Sequence, residues 1–353
     1  MQQSILQYLR CPVSQEPLEL KVFEEKERTY NDEIVKEIIA GLLTSPNGYI
    51  YPIVNGVPRM QMESFLEFED FIKKYHDNYN DVKSDLQKRF GFIIKQGVKK
   101  HRKVKKSFGM EWSIFDYDKD KTWIFGRDER KERFLKEINA NAEDLNGKFS
   151  IDVGCGNGVL TSAISEFGLT SFGIDVSDSI ERAYENNTKP NVHYIQADLQ
   201  NLPFQTQFFD LIYSSGVIHH TNNTELSFSC IAEFIKPAGK LYVWLYHPID
   251  NLKHHALNRL RSFTNKLPLK IQYLLYLIFL VPQALFKARL KGIKRTWREQ
   301  LINFFDVLSP EFRFEHTIEE VETWYLKREF TKPEVTINEY YGFGLYGTKC
   351  SKS

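Results

Sequence analysis

A glycine-rich turn, Ile151–Gly158, constrains this chain more than any other feature of its sequence. The segment reads IDVGCGNG and lies between an apolar run, FSIDV, and an amphipathic pattern, VLTSAISEFG. A strand that passes through glycines into a helix is typical of the first crossover in a doubly wound sheet, where ligands bind at the carboxyl ends of the strands. Glycine there lets the backbone approach the ligand closely.

Strand-like and helix-like segments alternate after this turn. The apolar runs SFGID, VHYIQ, FDLIYSS and LYVWLYH are separated by helical patterns, and a helix through Ile231–Ile235 followed by a turn at Pro237–Gly239 precedes the last run. This alternation indicates parallel strands joined by crossover helices. The segment EVTINEYYGFGLYGTK predicts an antiparallel hairpin at the sheet edge. We therefore predict an α/β fold with a Rossmann-like, doubly wound, mostly parallel seven-stranded sheet.

The spacing of the glycines differs from a dinucleotide-binding fingerprint. Gly154, Gly156 and Gly158 are two residues apart, whereas GxGxxG places its third glycine three residues after the second. Asp152 stands two residues before the first glycine. An acid at this position suits a cationic ligand better than a pyrophosphate. Taken alone, the turn is equally consistent with a structural role.

Two more acids follow predicted strands. Asp175 ends SFGID, where a carboxylate can accept hydrogen bonds from ribose hydroxyls, although it could equally cap the next helix. Asp198 ends VHYIQAD, where it can accept from an adenine amino group, with the backbone of Leu199 beside it. The competing interpretation of Asp198 is a turn-forming residue.

In this order and spacing, the motifs resemble class I S-adenosylmethionine (SAM)-dependent methyltransferases over about residues 148–247. Only Ala238 departs from the family pattern, where KPGG is usual and this chain has KPAG. The resemblance implies S-adenosyl-L-methionine as the cofactor. It also implies a set of cofactor-binding residues at the strand ends: Asp152, Gly154, Cys155, Gly156, Gly158, Asp175, Val176, Asp198, Leu199 and Ser215.

Candidates for catalysis lie after the fourth and fifth strands. His219 and His220, in SSGVIHH, could remove a proton from a hydroxyl nucleophile, or pack and orient the substrate instead. Three further residues are candidate substrate contacts: Tyr246, His247 and Trp112. The thiol of Cys155 is interpreted as a small buried group, because no base stands beside it in the sequence.

The first 60 residues form a separate unit in this interpretation, with a helical charged stretch around Asn31–Leu42. CPVSQEPLEL and TSPNGYIYPIVNGVPRM resemble the zinc-ribbon-like activator subunit of tRNA methyltransferases. That family carries two cysteine pairs, but here only Cys11 is present, with Ser14 and then Thr44 and Ser45 at the other expected places. One thiolate cannot form a four-ligand zinc site, so we expect no metal.

Five parts are expected: a degenerate ribbon (1–60), a helical connector (61–115), the SAM-binding core (116–250), a helical insertion or substrate lid (251–329) and the C-terminal hairpin (330–353). A net charge of +1 gives no general attraction to nucleic acid. The basic run 95–106 is interpreted as a solvated helix face. Four scattered cysteines and no signal peptide favour the cytoplasm. The apolar stretch Ile271–Phe286 is too short to span a bilayer, which predicts no transmembrane segment.

The function indicated is transfer of a methyl group to a small molecule, through a hydroxyl of a sugar or secondary metabolite. Three alternatives stay open: a tRNA- or RNA-directed enzyme that uses the basic run, a quinone or lipid methyltransferase at a membrane surface, and a SAM-binding module without catalysis. The oligomeric state is not determined by the sequence.

Overall fold

The computed structural model of the protein describes residues 1–31, 33–115, 120 and 126–351, apart from the side chains of residues 103, 112 and 253. The first part of the chain folds into a four-stranded antiparallel sheet in the order β1-β2-β3-β4. Its strands are β1 (Glu19–Tyr30), β2 (Glu33–Thr44), β3 (Ile50–Val54) and β4 (Val57–Pro58).

The helix predicted around Asn31–Leu42 is wrong, because this segment forms β2. Asn31 adopts a φ of 48°, which reverses the chain after β1. Four β-branched residues follow in the strand: Ile34, Val35, Ile38 and Ile39. Their side chains fit a pleated strand better than a helix, and pairing with β1 outweighs the charged residues that suggested a helix.

Three helices connect this sheet to the next part of the chain. They are α1 (Ser64–Glu67), α2 (Glu69–Tyr75) and the long α3 (Tyr79–Ser113), and α4 (Arg127–Glu137) follows. The 35 residues of α3 extend for roughly 50 Å at the usual helical rise. This length lets α3 reach the carboxyl-end edge of the main sheet.

The predicted seven-stranded sheet is confirmed, in the order β10-β11-β9-β8-β5-β6-β7. All neighbouring strands are parallel except for β11, which is antiparallel to both β9 and β10. The strands are β5 (Phe149–Val153), β6 (Thr170–Asp175), β7 (Val192–Gln196), β8 (Phe209–Ser215), β9 (Ile235–Tyr246), β10 (Glu334–Asn338) and β11 (Gly342–Thr348).

Crossover helices α5 (Val159–Ile164), α6 (Ser179–Glu185) and α7 (Thr224–Ala232) join the parallel strands. The helix predicted through Ile235 ends at Ala232, and the predicted turn lies inside β9. Ala238 there adopts a φ of 63°, and the pairing of β8 with β9 shifts in register. The turn is therefore a bulge within the strand, and after it β9 pairs with β11 from Lys240 onward.

The segment between β9 and β10 contains five helices: α8 (Leu252–Thr264), α9 (Leu269–Leu275), α10 (Val281–Leu290), α11 (Trp297–Leu308) and α12 (Ile318–Lys327). A π-helical turn, Tyr276–Leu280, joins α9 to α10. The helix runs unbroken over Leu269–Leu290, beyond the apolar stretch Ile271–Phe286, because the π-helical turn lets it continue through Pro282. Among the described residues, this helix alone is long and apolar enough to cross a membrane by length and composition.

The N-terminal unit is not separate from the main sheet. Arg59 pairs in parallel with Gln196 at the edge of β7, and the Met60 amide donates to the Gln196 carbonyl at 2.8 Å. Leu9 forms an antiparallel bridge with Phe204. One continuous cluster of buried apolar side chains extends from the first residues to β11.

Candidate active site

A cavity of about 850 Å³ opens at the carboxyl ends of the central strands. Residues of the glycine turn, α3, α8 and α11 line it. Because parallel strands end at the same edge, the acids predicted after β5, β6 and β7 all reach this cavity: Asp152, Asp175 and Asp198.

The glycine turn needs glycine at its first position. Gly154 has a φ of 77°, and a Cβ atom there would lie 2.4 Å from Val217 Cγ1. Gly154 and Cys155 line the cavity, whereas Gly156 and Gly158 shape the turn behind it. The turn therefore forms a cradle that any side chain would fill.

Asp175 accepts three hydrogen bonds from its own protein. Its Oδ2 accepts from the Gly156 amide at 3.0 Å, and its Oδ1 accepts from the Ser177 amide at 2.8 Å and the Ser177 hydroxyl at 2.7 Å. Burial raises the pKa of Asp175. A carboxylate offers about four acceptor positions, so the one left on Oδ2 suits a single ribose hydroxyl.

Asp152 lies under the turn and accepts a hydrogen bond from Thr161 Oγ1 at 2.6 Å. Burial raises the pKa of Asp152 to about 6. A nearby cation would favour the ionised carboxylate. The site is thus suited to a positively charged ligand, as the sequence suggested.

Asp198 is held by two side chains of α3. Lys100 Nζ donates to Asp198 Oδ2 at 2.5 Å, and His101 Nε2 lies 3.2 Å from the same oxygen. Burial acts to raise the pKa of Asp198, but His101 and Lys100 hold it well below its usual range. His101 Nδ1 also lies 2.6 Å from Glu63 Oε1. With a carboxylate at each ring nitrogen, the pKa of His101 is raised despite its burial.

These α3 residues were missed in the sequence, where the run 95–106 is interpreted as a solvated face. That interpretation is wrong for Lys100 and Lys105, whose charges face buried carboxylates. The signal was present as Lys100, Val104, Phe108 and Glu111, which recur at helical spacing and all line the cavity.

Aromatic and charged side chains also line the cavity. Tyr246 Oη donates to Asp306 Oδ2 at 3.0 Å, and the Arg313 guanidinium lies 3.8 Å from the centre of the Tyr246 ring. Burial raises the pKa of Asp306 to about 6. Among the other rings that line the cavity are Phe108, Trp244, Phe304 and Phe312.

The two histidines differ sharply. His219 is fully buried, lies outside the cavity lining and has its ring 4.3 Å from that of Tyr246, so it packs rather than faces a ligand. His220 lines the cavity, and its Nδ1 donates to the Phe312 carbonyl at 2.8 Å. Burial lowers the pKa of His220 to about 4. A neutral His220 that donates from Nδ1 keeps a lone pair on Nε2, which lies 3.9 Å from Asp306 Oδ1.

Of the other predicted site residues, some line the cavity and others do not. Val176, Leu199 and Ser215 line the cavity. His247 does not line it, because its Nε2 lies within hydrogen-bond distance of Asn338 Oδ1 and the Glu339 carbonyl beside β10. The side chain of Trp112 lies outside the described residues.

Cys155 does not fit a nucleophilic role, and the described residues contain no cluster of metal-ligating side chains. Burial raises the pKa of Cys155 well above its usual value, which disfavours the nucleophilic thiolate. No group of three or more His, Cys, Asp or Glu side chains in the described ranges could hold a metal ion. Cys11 Sγ instead lies 3.2 Å from Tyr51 Oη.

The segment that carries most of this site is similar to a known protein family. Residues 151–243, which contain the glycine turn and the three acids, match the family model described as a methyltransferase domain. This segment is therefore similar to a methyltransferase domain. Its cofactor is SAM, and the cradle at Gly154 and the buried acids fit that cation.

Similar proteins are known by sequence and by structure. The methyltransferase domain is 33% identical over 101 residues to a ubiquinone biosynthesis O-methyltransferase of Coxiella burnetii, covering 28% of this chain and 43% of that protein. The rat mitochondrial protein of the same name is 31% identical over 106 residues, covering 28% and 31% of the two chains. This chain thus spans less than half the length of these curated relatives.

Two solved structures also match this chain at low sequence identity. A SAM-dependent methyltransferase from Aquifex aeolicus is 15% identical, with 64% of this chain and 98% of that chain covered and a TM-score of 0.37. The magnesium protoporphyrin IX methyltransferase of Synechocystis with bound S-adenosylhomocysteine is 15% identical, with 70% and 98% covered and a TM-score of 0.39.

Proposed function

We propose that this protein is a SAM-dependent methyltransferase that methylates a hydroxyl group of a small cyclic molecule, such as a sugar or an aromatic secondary metabolite. The observation that carries this proposal is a single cavity that both sets of residues line. The acids and the glycine turn line it together with aromatic side chains and His220, whose Nδ1 donates to Phe312 and leaves a lone pair on Nε2.

The three acids divide the work of binding the cofactor. Asp152 balances its positive charge, Asp175 accepts from its ribose, and Asp198 accepts from its adenine amino group. When bound, the cofactor supplies an electrophilic methyl group on a sulfonium. The protein contributes mainly by placing acceptor and methyl group in line, which lowers the entropic part of the barrier.

His220 is the proposed base. His220 Nε2 would take the hydroxyl proton of the acceptor while the cofactor's methyl group is transferred to that oxygen. The Phe312 carbonyl holds the ring through Nδ1, and Asp306 stabilises the imidazolium that forms. The pKa of about 4 keeps His220 neutral, and therefore able to accept a proton, at physiological pH.

The test combines binding with turnover. We expect S-adenosylhomocysteine to bind the purified protein in a calorimetric titration, and hydroxylated acceptors to be methylated. His220→Gln should lower kcat by about a hundredfold or more while the affinity for S-adenosylhomocysteine stays the same. His255→Gln, on the exposed face of α8, is the matched control.

Two outcomes would contradict the proposal at different levels. If the protein bound neither SAM nor S-adenosylhomocysteine, the methyltransferase function would be rejected. If His220→Gln left kcat unchanged, only the assignment of the base would fail.

A quinone or other lipid acceptor is the second candidate. The relatives named above are called ubiquinone biosynthesis O-methyltransferases, and the exposed apolar helix Leu269–Leu290 belongs to the same helical part as the cavity wall. An RNA acceptor has less support, since Lys100 and Lys105 are engaged by Asp198 and Glu63.

We also propose that residues 1–60 are a metal-free relative of the zinc-ribbon activator, fused to the enzyme that it supports. The antiparallel strands and the single Cys11 favour this origin, and the cytoplasm remains the predicted location. Incubation with a zinc chelator should leave the thermal melting temperature unchanged. A clear drop in that temperature would contradict a metal-free unit.

A further inference from the structure

The helix Leu269–Leu290 turns an apolar face to solvent. Of the 18-residue apolar window in this helix, only 17% is buried inside the protein. The exposed apolar side chains follow helical spacing along one stripe, which we call the apolar stripe: Ile271, Leu274, Ile278, Phe279, Phe286 and Leu290. A stripe of this size is larger than scattered surface hydrophobics and indicates an interaction surface.

Charge around this helix is of one sign. Between Asn251 and Arg298 the sequence contains eleven Lys and Arg residues and no Asp or Glu, in a chain whose net charge is only +1. No charged residue lies within 271–286, so the cations stand at the two ends of the stripe. Seven of them are exposed, and none of these seven forms an ion pair within the described part of the chain: Arg259, Lys266, Lys270, Lys287, Arg289, Lys291 and Lys294.

We propose that the apolar stripe and its flanking cations dock this protein on the surface of a lipid bilayer that contains anionic headgroups. The apolar side chains would enter the boundary between headgroups and acyl chains. The lysines and arginines at both ends would meet lipid phosphates. Long cationic side chains can extend toward the headgroups from a helix that lies in the interface.

The opposite face of the helix explains why it lies on the bilayer and does not cross it. Tyr276 and Val281 are buried against Leu301, Phe305 and Leu308 of α11 in a small core. A spanning helix would have to leave that core, whereas a helix lying flat keeps it and buries only the stripe. The flanking cations at both ends also favour a flat orientation, since both can then meet the same leaflet.

This surface belongs to the same helices as the cavity wall. Leu257 of α8 and Phe304 of α11 line the cavity, while α11 packs against the π-helical turn beneath the stripe. Docking would therefore hold one wall of the cavity near the bilayer. The docking proposal does not depend on methyl transfer, so it can fail or succeed separately from the proposed function.

The experiment uses the full chain and vesicles in a flotation assay. We expect it to float with vesicles of phosphatidylcholine mixed with phosphatidylglycerol. Its partition coefficient should be at least about tenfold lower with phosphatidylcholine alone, or with the mixed vesicles at high salt. Fluorescence quenching by lipid-borne quenchers in the headgroup region would report a shallow position.

Two double variants separate the apolar contribution to membrane binding from the electrostatic contribution. Phe279→Gln with Phe286→Gln should lower partitioning by about tenfold or more through lost apolar burial. Lys287→Glu with Lys291→Glu should abolish the preference for phosphatidylglycerol. The matched controls are Phe92→Gln and Lys88→Glu, two exposed residues of α3 that should leave partitioning unchanged. An unchanged affinity for S-adenosylhomocysteine and an unchanged melting temperature would show that the variants fold.

Three results would overturn the proposal. The first is equal partitioning of the wild type and both variants. The second is a protein that high salt and carbonate cannot release from membranes, which would make the helix a spanning segment. The third is a dimer in sedimentation that Phe279→Gln with Phe286→Gln dissociates, without binding to any vesicle, which would make the stripe a contact between two copies.

Discussion

Asp152 combines a binding role with a cost in stability. Its carboxyl is buried beneath the glycine turn, and Thr161 Oγ1 is the donor that it has there. The native pKa of about 6 lies above the ordinary 3.8. The stability that the protonated Asp152 carboxyl contributes is therefore fully present below pH 3.8 and is lost as the pH rises through about 6.

We expect Asp152→Asn to raise the free energy of unfolding at pH 7.5 by about 2 kcal/mol, because asparagine keeps the acceptor for Thr161 and carries no buried charge. At pH 4 the gain should be much smaller. The same variant should bind SAM more weakly, since the cation loses its partner. Urea unfolding at both pH values and calorimetric titration measure these effects.

Asp210→Asn is the control for this pair of measurements. Asp210 forms an ion pair with Lys236 and accepts a hydrogen bond from the Phe149 amide, and it does not line the cavity. That variant should lose stability and keep its affinity for SAM. Equal destabilisation of Asp152→Asn at both pH values would contradict the assignment of Asp152 as a buried charge.

Ala238 offers a second test at the residue scale. It is exposed and adopts a φ of 63°, a left-handed conformation that costs an L-residue about 1 kcal/mol. Ala238→Gly should raise the free energy of unfolding by about 0.5–1 kcal/mol, measured by urea denaturation. Ala256→Gly, on the exposed side of α8, should have the opposite sign. A loss of stability in Ala238→Gly would contradict strain at this position.

At the scale of elements, the buried carboxylate of Glu63, the residue before α1, links this part of the chain to His101 and Lys105 of α3. Burial acts to raise the pKa of Glu63, but the hydrogen bond to His101 and the charges of His101 and Lys105 lower it to about 2. This contribution to stability is present above pH 4.5 and is lost as the pH falls through about 2.

Glu63→Gln should lower the free energy of unfolding at pH 7 by about 2–3 kcal/mol, because it removes the buried carboxylate that His101 and Lys105 share and leaves them only Asp198 and Glu67. It should also expose α3 to proteolysis. Glu67→Gln, which removes the partly exposed partner of Lys105, should cost less than about 1 kcal/mol. Equal effects of the two variants in urea unfolding would contradict a special role for Glu63.

At the scale of the whole molecule, the N-terminal sheet and the methyltransferase domain share one core. Buried side chains of β2 and β3, such as Leu43 and Ile53, belong to the same cluster as Ile151 and Ile212 of the main sheet. Backbone bonds at Met60 and Arg10 reinforce this contact. We infer one cooperative unit of folding.

Native-state hydrogen exchange tests this inference. The most protected amides of β2 and β3 should open with the same free energy and denaturant dependence as those of β5 and β8, within about 1 kcal/mol. The helix Leu269–Leu290, with its small separate core, provides the comparison and should open at lower free energy. If β2 and β3 lost protection well before β5 and β8, the N-terminal unit would be an independent domain.

The sequence by itself determined the order of strands and helices in the main sheet and the convergence of Asp152, Asp175 and Asp198. Apolar periodicity and glycine spacing are local properties, and in a parallel sheet they place the strand ends at one edge. The same local reasoning predicted a helix where β2 forms. A charged segment of mixed composition has no clear helical or strand periodicity, and pairing with a partner strand decides its structure.

Only the tertiary structure decided which side chains meet across the cavity. His219 and His220 are adjacent in sequence, yet packing buries the first and turns the second toward Asp306. Lys100 and His101 reach Asp198 from nearly a hundred residues away. Such contacts depend on where α3 and α11 lie against the sheet, and long-range packing sets that position.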